Sequence, residues 1–483
     1  MRFLTILALI VSLASLALLE RERAGLSVER VAVGDMPVTL WRPERAAPAG
    51  LVVVAHGYAG SRQMMRAFAV TLARSGLAVA ALDLPGHGRH PRPMTGDVTR
   101  LDGATAMLTR EVVAATRALR EADGFGPGLA LLGHSMATDI VVRAAEALPV
   151  DAVVAVSMYS EAVTAETPAR LLILSGAREG RLRAVALDAV RMVGPDAEER
   201  ETATAPGVIR RAVAAPMVGH VGVLYAPVAL IEARDWILGA MDGGRPGAPP
   251  LTALWLLGLL GGLLALARPL AELAGPRNPA PDPLPRRTAW TALLIPIFPA
   301  TLAAALVPDL GGRLAIAPLA AFFAVWGGVQ GAWLWRAGAR LPSLRPLAMA
   351  VLAGWAFGLF ALALDRYGAA FSPLTELRFT PFLALLPGAL IFTYADALLT
   401  QGAGWGLRIA ARLLPLAALL AAMLLTPLLG IAFTVLPVLL LFWLVFGAAA
   451  RWMAARAGTG STAPVLGVML AWAIAASTPM IAG

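Results

Sequence analysis

The sequence predicts an α/β domain, with a mostly parallel sheet covered by helices on both faces, followed by an all-α polytopic transmembrane domain. Three observations carry this reading. Between Val28 and about Met241, short apolar or β-branched runs alternate with longer amphipathic stretches, as parallel strands joined by crossover helices do. From Leu251 onward, apolar stretches of roughly 20 residues recur, the length that spans a bilayer core. Charge divides along the same line. Glu20 to Arg245 holds 25 Arg and 25 acids, whereas the chain from Leu251 holds 14 Arg against 6 acids.

Composition excludes other classes. At 58% hydrophobic and 15% charged, the chain is too apolar for intrinsic disorder and falls below the ~25% charge of soluble proteins. With no cysteine, a disulfide scaffold is excluded. The net charge of +9 would suggest nucleic acid, but the α/β segment is neutral, and no nucleic-acid partner is expected. The excess lies on Arg2 and the membrane region. All 40 basic residues are Arg; with heavy Ala, Gly and Pro use, this reads as a GC-rich, bacterial coding bias.

Residues 1–23 form the first element. The predominantly apolar 17-residue run Phe3–Leu19 follows Arg2 and sits at the short limit of a spanning helix. It is either a retained signal anchor, the preferred reading, or a signal peptide with Ser15 and Ala17 as a small-x-small site. The α/β domain occupies residues 24–242. Its expected strands are Leu51–Ala55, Leu77–Leu82, Leu129–Leu132, Ala152–Val156, Leu171–Leu174 and Ile209–Ala214. Its expected helices are Ser61–Arg74, Ala104–Ala122, Met136–Leu148, Leu182–Val193 and Val221–Ala240. A Gly/Pro-rich linker, residues 243–250, closes it.

Residues 251–483 carry about eight expected spans, near 251–267, 289–307, 314–335, 346–364, 379–398, 410–428, 431–449 and 464–482. The uncharged stretch Leu413–Ala449 would be ~55 Å long as one helix, so it must be a hairpin turning near Gly430. Twelve Arg (2, 268, 277, 286, 287, 336, 340, 345, 408, 412, 451 and 456) fall on one set of span ends, and only Arg313, Arg366 and Arg378 on the other. The positive-inside rule then puts the N-terminus in the cytoplasm and both the α/β domain and the C-terminus outside. A bacterial plasma or inner membrane is expected, with nine spans if the first helix is retained. Intramembrane acids are scarce, Asp365 and Asp396 lying near span ends, which argues against ion-coupled transport. Gly258, Gly261 and Gly262 permit close helix contact, and Pro296, Pro299, Pro387 and Pro437 fall inside spans.

The chemistry concentrates at Gly133-His134-Ser135-Met136-Ala137, directly after an expected strand and opening an expected helix. This resembles the nucleophile elbow G-x-S-x-G of the α/β-hydrolase superfamily, with Ala137 in place of the second Gly. A sharp strand-to-helix turn lifts the Ser135 hydroxyl clear of the sheet, and small neighbours let strand and helix approach. The resemblance extends over about 215 residues, 28 to 241. Val52–Ser61, with His56 and Gly57, resembles the loop that supplies the oxyanion hole; by that match the backbone N–H groups of Tyr58 and Met136 are the donors. Ala81–Gly88 resembles a structural turn of the superfamily, and Asp83 and His87 are assigned no chemistry.

The resemblance also implies the remaining members of a triad. Glu179 lies three residues after Gly176, where the family places its acid, with Glu161 as runner-up. His220 follows the last expected strand, and the order Ser, acid, His is that of this fold. Ser135 is then the nucleophile, His220 the base and Glu179 the residue that holds the imidazole. His56 and His134 are expected to be structural and His90 to be exposed on a polar loop. No metal and no cofactor are expected. Too few residues separate the fourth and fifth expected strands for a large helical cap, so the site should be open to bulky or membrane-bound esters.

These features predict a membrane-anchored serine hydrolase acting on an ester, thioester or related acyl bond, with an acyl-ester or lipid-like substrate and the lipid bilayer as partners. An acyltransferase would use the same residues. A non-catalytic sensor or assembly subunit would keep the fold without the reaction. Oligomeric state is not legible in the sequence.

Overall fold

The computed structural model of the protein describes residues 2–97, 100–122, 124–241, 243–279, 281–308, 315–340 and 344–482. Arg313, counted above on the outer side, and residue 314, the expected start of a span, lie outside the described residues. The chain forms two compact units. One comprises Ala14–Leu257 with Arg366–Ala370; the other comprises Met1–Leu13, Gly258–Asp365 and Phe371–Gly483.

The first unit is built on a nine-stranded sheet. Its strands are β1 (Leu26–Val33), β2 (Met36–Pro43), β3 (Gly50–Ala55), β4 (Ala78–Leu82), β5 (Gly128–His134), β6 (Ala152–Val156), β7 (Arg170–Gly176), β8 (Thr202–Ala205) and β9 (Val208–Ala215). The spatial order is β1-β2-β4-β3-β5-β6-β7-β9-β8. From β4 through β9 the neighbours run parallel, and the hairpins at the two edges are antiparallel. Strands β3 and β5 are buried along their whole length, as parallel strands covered on both faces must be.

Five of the expected helices are present: α2 (Arg66–Ala73), α3 (Ala106–Glu121), α4 (Ala137–Ala144), α5 (Gly180–Arg191) and α6 (Pro227–Leu238). A 3-10 turn, Arg62–Met65, precedes α2, and another, Gly222–Tyr225, precedes α6. Phe68 and Leu72 of α2 and Leu230 and Ile237 of α6 pack in one cluster with Val54, Leu132, Val154 and Leu172 of the sheet. Each such side chain contributes about 1.5–3 kcal/mol by leaving water.

Three strands depart from expectation. β1 and β8 are the two edge strands and β2 lies between β1 and β4; none of the three is expected from the sequence. β1 alternates half-exposed positions with charges at Glu29 and Arg30, and β2 begins with Pro37 as its second residue. These strands lack the continuous apolar run that marks a strand covered on both faces. The connection from β6 to β7, residues 157–169, contains no helix, in keeping with the uncapped site expected.

Among the described residues, nine helices are long and apolar enough to cross a membrane: Phe3–Arg21, Thr252–Ala274, Arg286–Leu306, Ile316–Arg336, Pro346–Tyr367, Glu376–Thr400, Trp405–Leu425, Ala432–Ala457 and Thr459–Ser477. The first lies in α1 (Arg2–Arg21). In the second unit, Trp326, Trp355, Phe322, Phe323 and Phe442 fill the core. α1 packs on Gly262, where a Cβ would stand 2.3 Å from Ser12 Oγ and 3.0 Å from the Ala8 carbonyl; only a residue without a side chain permits that approach. At Pro296 the helix breaks between Leu294 and Ile297, because proline supplies no N–H and crowds the preceding turn. The hairpin after Leu425 turns through Pro427–Gly430.

Three charged side chains of these helices have close partners within the unit. Asp365 accepts the backbone N–H groups of Phe371 and Ser372 at 2.8 and 3.1 Å. Asp396 pairs with Arg412, whose guanidinium lies 3.5 Å from the Trp443 ring centroid. Buried Arg378 donates to the carbonyls of Ala475 and Thr478 at 2.7 and 2.8 Å.

Candidate active site

The site stands at the carboxyl ends of β3, β5, β7 and β9. β5 ends at His134 and α4 begins at Ala137, so Ser135 occupies a two-residue turn with φ 52°. That left-handed conformation costs a non-glycine residue about 1–3 kcal/mol and is held by the Ser135 N–H on the Val156 carbonyl at 2.8 Å. The Ser135 carbonyl in turn accepts the Thr138 hydroxyl at 2.6 Å. α4 lies so close to β5 that a Cβ on Gly133 would stand 2.4 Å from the Ala137 carbonyl oxygen. Ala137 itself is fully buried, so a methyl group is tolerated at the position where the motif has its second glycine.

Ser135 Oγ lies 2.8 Å from His220 Nε2, and His220 Nδ1 lies 2.6 Å from Glu179 Oε1. A carboxylate can only accept, so Nδ1 carries the proton and Nε2 is left to accept from the serine hydroxyl. Three residues distant in sequence are thus linked by two short hydrogen bonds.

Glu179 follows β7 and precedes α5. Besides His220, its carboxylate accepts the Gly176 N–H at 2.5 Å and the Ser157 hydroxyl at 2.8 Å. Burial pushes its pKa up, but the hydrogen bonds from His220, Gly176 and Ser157 outweigh burial and hold the carboxyl below its ordinary range. The structure places Glu161 elsewhere, exposed in the β6–β7 connection.

Two residues of this site were not anticipated in their roles. Ser157, at φ 53° directly after β6, orients Glu179. His134 donates its Nε2–H to the His220 carbonyl at 3.0 Å, with ring centroids 4.9 Å apart. Burial and the neighbouring His220 push the His134 pKa down to about 4, so it is a neutral donor at neutral pH. The only sequence signal for either was adjacency: Ser157 ends the strand beside the elbow strand, and His134 precedes the serine.

The loop after β3 lies against the nucleophile. A Cβ on Gly57 would meet His134 Nδ1 at 2.9 Å and Ser135 Cβ at 3.0 Å. Tyr58 follows, its ring edge-on to His87 at 5.7 Å, and burial pushes its phenol pKa up. Met136 sits at the start of α4, where backbone N–H groups have no helical acceptor. His56 is buried, its Nδ1–H on the Gly57 carbonyl at 2.8 Å and its Nε2 accepting the Leu84 N–H at 3.1 Å. Buried Asp83 accepts the N–H groups of Arg62 and Arg89 at 2.8 and 3.0 Å, which ties this loop to the end of β4. His90 is not exposed as expected. It is buried, because the chain folds back over it through the Gly86 N–H on the Arg92 carbonyl at 2.8 Å.

Around the catalytic candidates, three apolar side chains face solvent: Tyr159 at 61%, Met217 at 80% and Val221 at 51% exposure. Tyr159 is held beside the elbow by its N–H on Thr138 Oγ1 at 2.9 Å, and Val221 adjoins His220. No group of three or more metal-ligating side chains occurs among the described residues.

A family model described as the alpha/beta hydrolase fold matches residues 50–192. No curated protein matches the chain. Among solved structures, a dienelactone hydrolase from Anabaena variabilis ATCC 29413 is 22% identical, covering 45% of this chain and 100% of its own, with a TM-score of 0.35. A membrane phospholipase A, described as a novel bacterial virulence factor, is 16% identical over 49% of this chain and 94% of its own, with a TM-score of 0.35. A hormone-sensitive lipase from a metagenome library is 18% identical over 50% and 97%, with a TM-score of 0.34. The family match and the sheet order together make the first unit an α/β-hydrolase fold.

Proposed function

We propose that this α/β-hydrolase domain, residues 24–242, is a membrane-anchored serine hydrolase that cleaves an ester, thioester or related acyl bond through an acyl-enzyme. The observation that carries the proposal is the continuous hydrogen-bond chain from Ser135 Oγ through His220 to Glu179, at 2.8 and 2.6 Å.

In this reading Ser135 attacks the acyl carbon as its proton passes to His220 Nε2. Glu179 holds the ring by Nδ1–H and stabilises the imidazolium. The backbone N–H groups of Tyr58 and Met136 receive the charge that develops on the carbonyl oxygen; one such donor typically lowers a barrier by about 2.7–4 kcal/mol. His220 returns its proton to the leaving group. Water, activated by the same nitrogen, then releases the acid.

Tyr159, Met217 and Val221 support an apolar acyl group, since exposed apolar side chains beside a nucleophile gain by being covered. The His220 side chain is 45% exposed, so water can reach the base for the second step. The Arg asymmetry of the span ends supports an orientation with the domain on the periplasmic or exterior side and α1 as a retained anchor. A fluorophosphonate probe tests the reading. Labelling of the full chain that disappears in Ser135→Ala is the expected result; an unlabelled wild type beside a labelled control hydrolase would exclude it.

A further inference from the structure

A cavity of about 220 Å³ in the α/β unit is lined by five arginines, Arg23, Arg30, Arg62, Arg66 and Arg366, and by no acidic side chain. Every lining residue belongs to that unit. Five guanidinium groups around so small a space repel one another unless something compensates them.

Three carboxylates do so in part. Glu20 pairs with Arg23 at 3.3 Å and Arg366 at 2.9 Å; Glu22 pairs with Arg66 and Asp83 with Arg62, each at 3.4 Å. Each stands outside the lining of the cavity. These carboxylates pair with four of the five arginines, and the charged side chains that line the cavity itself are all arginines. Arg30, on an exposed strand position, has no carboxylate partner among the described residues.

Two of the arginines are held in place. Arg66 is buried and lies between the rings of Trp41 and Tyr367, 5.3 Å from each centroid. Its Nη2 donates to the Leu19 carbonyl at 2.7 Å. Arg366 lies 5.6 Å from the Tyr367 ring and shares Glu20 with the Tyr367 hydroxyl. Planar forks fixed in this way suit a polyoxygen anion, above all phosphate.

Two of the candidate membrane spans, Phe3–Arg21 and Pro346–Tyr367, end in this cluster. Glu20 belongs to the last turn of the first, Arg23 follows it, and Arg366 and Tyr367 end the second. Residues at span ends meet the headgroup layer of a bilayer. The cavity has room for a headgroup and not for acyl chains, which remain in the membrane.

We infer that this five-arginine cavity binds the phosphate of an anionic phospholipid headgroup. The inference is independent of the hydrolase proposal, since none of its residues belongs to the candidate active site.

The test uses the full chain in non-ionic detergent on a Ser135→Ala background, so that no lipid is consumed. Binding of dioleoylphosphatidylglycerol is followed by native mass spectrometry and by thermal shift, with dioleoylglycerol and inorganic phosphate as comparators. Arg23→Gln and Arg30→Gln are each expected to weaken phosphatidylglycerol binding about tenfold, the effect of one lost charge-assisted hydrogen bond. Arg117→Gln, on the exposed face of α3 and outside the cavity, should bind as the parent does. An unchanged circular dichroism spectrum and a cooperative thermal transition in the same arginine substitutions confirm that they fold. Unchanged phosphatidylglycerol binding in the double variant Arg23→Gln/Arg30→Gln overturns the inference, as does equal binding of dioleoylglycerol. Inorganic phosphate binding as tightly as the lipid assigns the cavity to free phosphate and overturns the lipid source.

Discussion

His134 and His220 stand ring to ring at 4.9 Å, and the Nε2–H of His134 is spent on the carbonyl oxygen of His220. The residue before the nucleophile therefore fixes the backbone that carries the base. The contact itself would suit a charged ring as well; it is burial that keeps His134 neutral, by pushing its pKa down to about 4.

That depression has a pH signature. Unfolded, His134 takes up a proton near pH 6.5; folded, it resists until about 4. The unfolded state binds more protons across this window, so stability is complete above pH 6.5 and is lost as pH falls toward 4. The loss integrates to about 3 kcal/mol. Thermal unfolding of the full chain from pH 7 to 4.5 should steepen downward, and His134→Gln should flatten that slope while lowering the midpoint at pH 7.

Glu179 and Ser157 give a graded pair. Glu179→Gln loses the charge that supports the imidazolium, and kcat should fall about 10⁴-fold with little change in KM. Ser157→Ala removes one of three donors to the carboxylate, and kcat/KM should fall about tenfold. The folded pKa of Glu179 is depressed, so its stabilisation is present above the ordinary carboxylate range and is lost as pH falls through the folded value. Ser157→Ala raises that folded value and should move the loss to higher pH, read as the midpoint difference from Glu179→Gln against pH.

Strain at Ser135 separates stability from activity. Ser135→Gly places at φ 52° the residue that accepts it without cost. The melting midpoint should rise, by a free energy of about 1 kcal/mol, while probe labelling disappears. A fall in midpoint would show that the turn is unstrained.

Close approach makes Gly57 intolerant. Gly57→Ala drives a methyl group to 3.0 Å from Ser135 Cβ and 2.9 Å from the His134 ring. Either the loop or the elbow must move, and a displacement of about 1 Å costs roughly 10²-fold in rate. Initial-rate kinetics on a soluble ester should register this chiefly in kcat, with the fold intact by circular dichroism.

In the helical unit, buried Asp396 pairs with half-buried Arg412. Asp396→Ala strands the guanidinium and should destabilise the chain by about 3 kcal/mol, at the low end for such breaks because Arg412 is a quarter exposed. Asp396→Ala/Arg412→Leu should recover part of this. A double-mutant cycle in detergent measures the coupling.

Much of this architecture was legible because burial leaves a simple trace. β3, β5 and β6 are continuous apolar runs, and their limits follow from composition. β1 and β2 escaped because they carry charge and proline at half-exposed or exposed positions, and β8 because it is only four residues of alternating Thr and Ala. Ser135, Glu179 and His220 stand in motifs at strand ends, where order along the chain is informative. Ser157 and the positioning role of His134 were not legible, since each depends on which strands lie side by side. His90 looked solvated because the polar sequence around it says nothing of a backbone that closes over it.

The bare β6–β7 connection has a kinetic corollary. Lipases that hide their nucleophile beneath a helix must be opened by an oil–water boundary, which produces a lag and a jump in rate once substrate aggregates. In residues 157–169 no helix exists to be displaced. Monomeric short-chain esters should therefore be turned over from the first seconds, with a rate that rises smoothly through the critical micelle concentration.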